Sequence, residues 1–230
     1  MRIQKVILLT TILWTLSLSF AWGEEEWQKD LYLISYSAAG ADGDLMADNR
    51  SANLDSGLKG FGGTLGFSTM KNKWGFYIEG DALSVRKKTP SSTEVLKRTV
   101  RRSSIEAGVV YSVTPVFNLL TGVRHQGIGL KVRAADSTKS EDSTGFLDFF
   151  AGVKIGRFAR TDRWFYWAGG DIGKGESDFV WNLRLEAGYR FTEKYYMGAS
   201  FRYLNTDFKD SDIQYDGAVK TMGLVMGYSF

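Results

Sequence analysis

His125 is the sole imidazole in this chain of 230 residues, and there is no cysteine. Any reaction that needs a histidine base must use His125, and thiolate nucleophiles, disulfides and thiolate zinc sites are excluded. Gly60-Phe61-Gly62-Gly63-Thr64-Leu65-Gly66 has the glycine density of a dinucleotide loop, but the G-x-G-x-x-G spacing fails at Leu65 and no helical pattern follows. Gly173-Lys174-Gly175 lacks the hydroxyl residue of a phosphate loop. Two segments, one with Asp42, Asp44 and Asp48 and one with Asp207, Asp210, Asp212 and Asp216, offer hard oxygens without the spacing of a calcium loop. No catalytic, cofactor or metal site is expected from these residues.

What the remaining charges do depends on the elements that point them. After Glu24 the chain shows no sustained 3.6-residue pattern, whereas alternation with a period of two recurs. Met222, Leu224, Met226, Tyr228 and Phe230 share one face at the C-terminus. Phe179, Trp181, Leu183, Leu185, Ala187 and Tyr189 do the same upstream, alternating with a face on which Gly recurs beside Arg and Glu. Glycine among pairable charges suits a crowded interior; a solvated sandwich face would favour Lys, Thr and Ser.

The alternation predicts strands at about 30–40, 57–69, 74–87, 97–113, 116–133, 145–157, 163–174, 178–191, 195–206 and 215–230. Short connections alternate with longer polar loops at 41–56, 88–96, 134–144 and 205–214, the short 175–177 link excepted. That is the asymmetry of an all-β, transmembrane antiparallel up-and-down barrel. Ten strands are expected, with eight as the alternative. Trp74, Tyr111, Phe117, Trp164, Tyr195 and Phe230 fall at the short-turn end, and Tyr36, Trp181 and Tyr203 toward the other, as two interfacial girdles would require.

Arg2 and Lys5 precede an apolar run from Val6 to Phe20, and Ala21 and Gly23 lie before Glu24. This reads as a cleaved export signal over 1–23, with the barrel domain at 24–230. Its removal takes the formal charge from +3 to +1, and no basic stripe remains along the sequence to imply nucleic acid.

Tyr228-Ser229-Phe230, with the alternation before it, resembles the terminal-strand signal read by the barrel assembly machinery, so Tyr228 and Phe230 are its expected readout. Gly188-Tyr189-Arg190-Phe191, Phe201-Arg202-Tyr203-Leu204, Asp207, Tyr215, Gly217 and Gly223 are similar to the closing hairpins of a proteobacterial family of outer-membrane barrels with no assigned activity. Lys73-Trp74-Gly75, Gly122-Val123-Arg124 and Asp148 with Gly152 extend the likeness, and His125-Gln126 departs from it. The resemblance implies the outer membrane of a Gram-negative bacterium. It also implies outer-membrane lipid and lipopolysaccharide as surroundings, contact with the assembly machinery during insertion, and a monomer.

Lipid-hydrolysing barrels resemble one another in a His and a Ser two residues apart on one strand, but position 127 is Gly. Omptin-type proteases pair an Asp with the His, and no Asp adjoins His125. Strand parity puts His125 on the lipid face, as a belt residue. The same parity places Glu79, Asp81, Glu106, Asp148, Asp171 and Glu186 inside, together with Arg102, Arg124, Lys154, Arg184, Arg190 and Arg202. Balanced charges in a narrow lumen are expected to form a connected network. Pairing Val113 with Phe117 around Thr114-Pro115-Val116 sets Glu106 opposite Arg124. The expected role is non-enzymatic: a structural barrel or a narrow small-solute pore with a charge-filled lumen. A surface-binding, adhesin-like barrel acting through external loops is the alternative, and a lipid-modifying enzyme stands behind both.

Overall fold

The computed structural model describes residues 27–47, 50–53, 59–90, 95–133, 139–158, 161–209 and 213–230. The segment read as an export signal lies outside them, as do Asp48, Asp210 and Asp212. The strands are β1 (Gln28–Ala47), β2 (Arg50–Asn53), β3 (Lys59–Lys71), β4 (Trp74–Pro90), β5 (Val95–Thr114), β6 (Phe117–Arg133), β7 (Lys139–Arg157), β8 (Trp164–Gly175), β9 (Phe179–Arg190), β10 (Tyr195–Lys209) and β11 (Ile213–Ser229). The four-residue β2 pairs with β1 alone. The other ten strands form a ring of antiparallel neighbours closed by β11 against β1, which excludes the eight-strand alternative. No helix occurs among the described residues.

At the short end, two-residue turns join β3 to β4 and β5 to β6. Lys71 pairs with Trp74 around Asn72, whose φ of 55° is one that asparagine tolerates. Thr114, not Val113, pairs with Phe117; Val113 forms a bulge, and the register is as expected from Ser112 facing Asn118 onward. The threonine hydroxyl makes the difference, because Thr114 Oγ1 accepts from the amides of Phe117 (3.1 Å) and Val116 (3.4 Å) and fixes the tighter turn.

At the opposite end the strands run well into the segments read as long loops, β1 to Ala47 and β7 from Lys139. Polar residues do not end a strand where a hairpin ladder continues into water. The short 175–177 link is held down instead: Asp148 Oδ1 accepts from the Ser177 amide (2.9 Å) and hydroxyl (2.8 Å), and Ser177 is buried.

The outer wall is apolar between two heights. Trp74, Tyr111, Trp164, Tyr189, Tyr195, Tyr228 and Phe230 ring the short-turn end in contacting pairs such as Trp74–Tyr111 (4.7 Å) and Trp164–Tyr189 (5.0 Å). Trp181 stacks on Tyr203 (4.7 Å, 28°) toward the other end. Between them Leu33, Leu65, Ile105, Leu119, Phe149, Leu185 and Met222 are exposed. From Trp74 to Ser84 a strand tilted by about 40 to 45° climbs about 24 Å, the height of a hydrocarbon layer as barrels meet it. Tyr36 does not belong to the outer girdle: Leu31, Leu33 and Ser35 face out, so parity turns Tyr36 inward, where it bonds Thr64 Oγ1 (2.5 Å) and is buried.

Inside, aromatic rings lie over glycines on neighbouring strands. A Cβ on Gly227 would sit 1.9 Å from the Tyr196 ring, and one on Gly66 would sit 2.2 Å from Tyr32. The recurrent inward glycines make room for rings that fill the lumen from one strand over.

Candidate functional site

The lumen is built in three layers, and the middle one holds the charges. Gly66, Glu79, Glu106, Arg124 and Asp148 are successive cross-strand partners on β3, β4, β5, β6 and β7. Glu79 and Glu106 therefore face each other directly, an arrangement that is destabilising unless cations intervene.

They intervene from three sides. Arg124 Nε donates to Glu106 Oε2 (2.7 Å) and its Nη2 to Asp171 Oδ1 (2.8 Å), so one guanidinium joins β5 to β8. Arg184 reaches across from β9, five places around the ring from β4, and donates from Nη1 (2.5 Å) and Nη2 (2.7 Å) to both oxygens of Glu79. This fork-on-fork geometry spans the full diameter. Arg202 on β10 lies 3.5 Å from Asp81 and 3.8 Å from Glu106, and its Nε donates to Asn182 Oδ1 (3.0 Å). From below, the Tyr32 hydroxyl donates to Glu79 and the Tyr77 hydroxyl to Glu106 (2.7 Å). Asp171 also accepts from Asn182 (2.7 Å), and Asp81 from Ser104.

The other inward charges are held more locally. Arg102 donates to Gln126 Oε1 (3.0 Å), and Arg190 to Ser229 Oγ (2.9 Å) and the Glu193 carbonyl (3.2 Å). Glu186 accepts from Trp167 Nε1 (3.2 Å) and Ser200 (3.4 Å). Lys154 rests its ammonium 4.0 Å over the Trp167 ring. The structure thus places all twelve expected charges on the inner side. Asp81, Glu106, Arg124, Asp171 and Arg202 form one bridged group, Glu79 and Arg184 form a pair beside it, and Arg102, Asp148, Lys154, Glu186 and Arg190 stand around them with their own partners.

Below this layer a cavity of about 300 Å³ faces the short turns, lined by Tyr77, Pro115, Lys154, Trp167 and Glu186 among others. Above it the described inward residues are mostly apolar, with Arg102 and Thr206 among them, which differs from the charge-filled lumen expected. Leu83, Val85, Val100, Ile128, Val180 and Leu204 are all buried there. Phe146 on β7 stacks on Phe208 of β10 (4.5 Å, 14°), covering the hairpin of the shorter β8 and β9. Beyond the outer girdle the alternation reverses its sense, because the wall there meets water and the interior must supply the dry side.

The aspartates of the far rim gather on one side. Asp207 faces Asp216, which faces Asp44, and the Asp178 amide donates to the Asp207 carbonyl (3.0 Å). Partial burial, then the Asp216 and Asp178 carboxylates, hold Asp207 above the usual carboxylate value. No metal-holding group of acids or histidines occurs among the described residues.

His125 is exposed on the outer wall in a notch it shares with Ser103, Leu65, Gly80 and Ile105. Ser103 faces Gly127, and a Cβ on Gly127 would lie 3.0 Å from Ser103 Oγ, so a hydroxyl does stand near the place that sequence spacing leaves empty. No hydrogen bond joins it to His125 among the described residues, and none orients the imidazole.

No family model matches the sequence, and no curated protein does. Among solved structures, the outer membrane protease OmpT from Escherichia coli is similar at a TM-score of 0.52 and 7% identity, over 88% of this chain and 97% of that one. Ail, the attachment invasion locus protein of Yersinia pestis, aligns at 0.46 and 14% identity over 90% of this chain and 100% of its own. Neisserial surface protein A aligns at 0.35 and 11% identity over 89% and 96%. What the chain shares with OmpT at so low an identity is the fold, a closed antiparallel β-barrel of the outer-membrane type.

Proposed function

We propose that this protein is an integral outer-membrane barrel with a sealed lumen and a structural, non-enzymatic role, the closed version of the narrow pore its charges would otherwise make. The observation that carries this reading is the Arg184–Glu79 fork, which bridges opposite walls at mid-height beneath the stacked Phe146 and Phe208. An ion crossing the barrel would have to break that fork and then enter a dry layer, where an unpaired charge is costly. The apolar band and its two girdles support residence in a bilayer, and the closed β11–β1 seam leaves no open edge there. Single-channel recording in planar bilayers is the direct test. The expected result is a baseline without unitary steps; stable steps from purified, heat-modifiable protein would show a pore.

No described residue hydrogen-bonds to His125 to activate it as a base, and it lies opposite Ile105 and Leu147, within the apolar band and not at the girdle where a belt residue is expected. His125→Phe is expected to fold and insert as the wild type does, since an apolar ring suits a lipid-facing strand position. Release of acyl chains from phospholipid by the wild type, and its loss in the variant, would overturn the non-enzymatic reading.

A further inference from the structure

We propose that the cavity beneath the middle layer binds a free amino acid with an aromatic side chain, its carboxylate on Lys154, its ammonium on Glu186 and Asp30, and its ring among the aromatic residues of the wall. The inference goes beyond the structural role. It needs only the cavity, with access from the short-turn end, which is the periplasmic side of an outer-membrane barrel.

The observation that carries it is a set of inward charges that do not meet. In the middle layer Glu79, Asp81, Glu106 and Asp171 each have a guanidinium at 3.5 Å or less. Below it Asp30, Lys154 and Glu186 line one cavity, and none of them forms an ion pair with a described residue. Glu186 accepts only from Trp167 Nε1 (3.2 Å) and the Ser200 hydroxyl (3.4 Å). Asp30 accepts from the Ser229 hydroxyl, through which alone Arg190 reaches it. Lys154 has no acceptor for its N–H donors; its ammonium lies 4.0 Å over the Trp167 ring and 5.3 Å over that of Phe158. One indole thus carries the Lys154 ammonium on its face and the Glu186 carboxylate at its Nε1 edge, which keeps the two charges near each other and unjoined.

Charges left unpaired in a closed interior are costly, and a ligand that brings the opposite charge to each removes that cost. A plain carboxylate would satisfy Lys154 and be opposed by Glu186 and Asp30. A plain amine would be opposed by Lys154. A zwitterion meets all of them. The walls choose its side chain: Tyr32 and Tyr77 line the cavity from β1 and β4, Trp167 and Tyr196 from β8 and β10, and Phe158 from just past the end of β7. The Tyr32 and Tyr77 hydroxyls are committed to Glu79 and Glu106, so what these residues offer a ligand is ring surface, which favours another ring. The volume of about 300 Å³ lies at the lower end of small-molecule pockets and suits one amino acid.

The test titrates the folded protein in neutral detergent, by calorimetry, with L-phenylalanine, with phenylpropionate, which lacks the ammonium, and with phenethylamine, which lacks the carboxylate. L-phenylalanine is expected to bind at least about tenfold more tightly than either analogue, because each analogue gives up a charge-assisted hydrogen bond. Lys154→Met is expected to weaken L-phenylalanine at least about tenfold and to leave phenethylamine no weaker. Glu186→Gln keeps an acceptor for Trp167, and it is expected to weaken L-phenylalanine and leave phenylpropionate no weaker. Both variants are read as heat-modifiable protein. Phenethylamine binding as tightly as L-phenylalanine would overturn the zwitterion in favour of a cation site, and phenylpropionate binding as tightly would overturn it in favour of an organic anion. Absence of saturable binding of all these probes to the wild type at millimolar concentrations would overturn the site itself, whether or not either variant folds. Unitary current steps would count against the sealed lumen alone, so the two readings fail separately.

Discussion

Arg124→Ala is expected to destabilise the barrel more than any other single substitution in the lumen, by about 3 to 5 kcal/mol. Arg124 is fully buried, its Nε and Nη2 are each engaged by a different carboxylate, and its guanidinium lies 4.8 Å over the Phe150 ring. Its removal leaves Glu106 and Asp171 short of their cation at once, with Glu79 facing Glu106 on the next strand. Glu106→Ala should cost less, because Arg124 keeps Asp171 and the Glu79–Glu106 repulsion is relieved. The double variant should fall well short of the sum, with a coupling above about 1.5 kcal/mol. Unfolding in urea from detergent micelles, followed by the heat-modifiable band, measures all three. Coupling below about 0.5 kcal/mol would mean that water screens the pair, as at an exposed site, and the sealed lumen would have to be given up.

That pair was accessible from sequence because a two-strand hairpin transmits register: once the turn near Pro115 is placed, every inward residue of β5 has a partner on β6. The bulge at Val113 absorbs the one-residue error in the turn before it reaches Ser112 and Asn118. Parity in turn sorted all twelve charges to the inside, since a one-residue slip would have put them in the apolar band. The fork between Arg184 and Glu79 had no such route. It joins strands five places apart, and no periodicity in the chain says which residues meet across a closed ring.

The apolar roof is not legible in the chain for a different reason. It uses the same alternation as the membrane wall with its sense reversed, so Val180 falls in phase with the face that carries Gly, Arg and Glu although it is fully buried. Vertical position is what alternation alone does not encode.

Deletion of Phe230 is expected to abolish the folded, heat-modifiable form at low expression, leaving degraded protein in the periplasm. The ring closes where β11 meets β1, along a seam that runs from Asp30 facing Ser229 to Ala47 facing Ile213. Phe230 lies at the short-turn end of that seam. Its amide donates to the Lys29 carbonyl (2.9 Å), and its ring stacks on Tyr228 (5.7 Å) and approaches Phe67 of β3 (6.4 Å). One residue thus ties the last strand to the first and second strands of the ring at the level of the girdle. The contacts themselves amount to one hydrogen bond and part of a ring's burial, on the order of 1 to 3 kcal/mol, which a finished barrel could lose and stay closed. The larger loss comes before closure, when β11 is still an unpaired edge and each unsatisfied backbone group in lipid costs several kcal/mol. Phe230→Tyr keeps the ring and the backbone bond and should assemble normally, whereas Phe230→Ala keeps the bond alone. If refolding into detergent in vitro is near normal for the deletion while assembly in cells fails, the ring acts as the signal read by the assembly machinery; failure of both would place its effect in the closure of the seam itself. Wild-type levels of the folded form in cells after the deletion would show that neither holds.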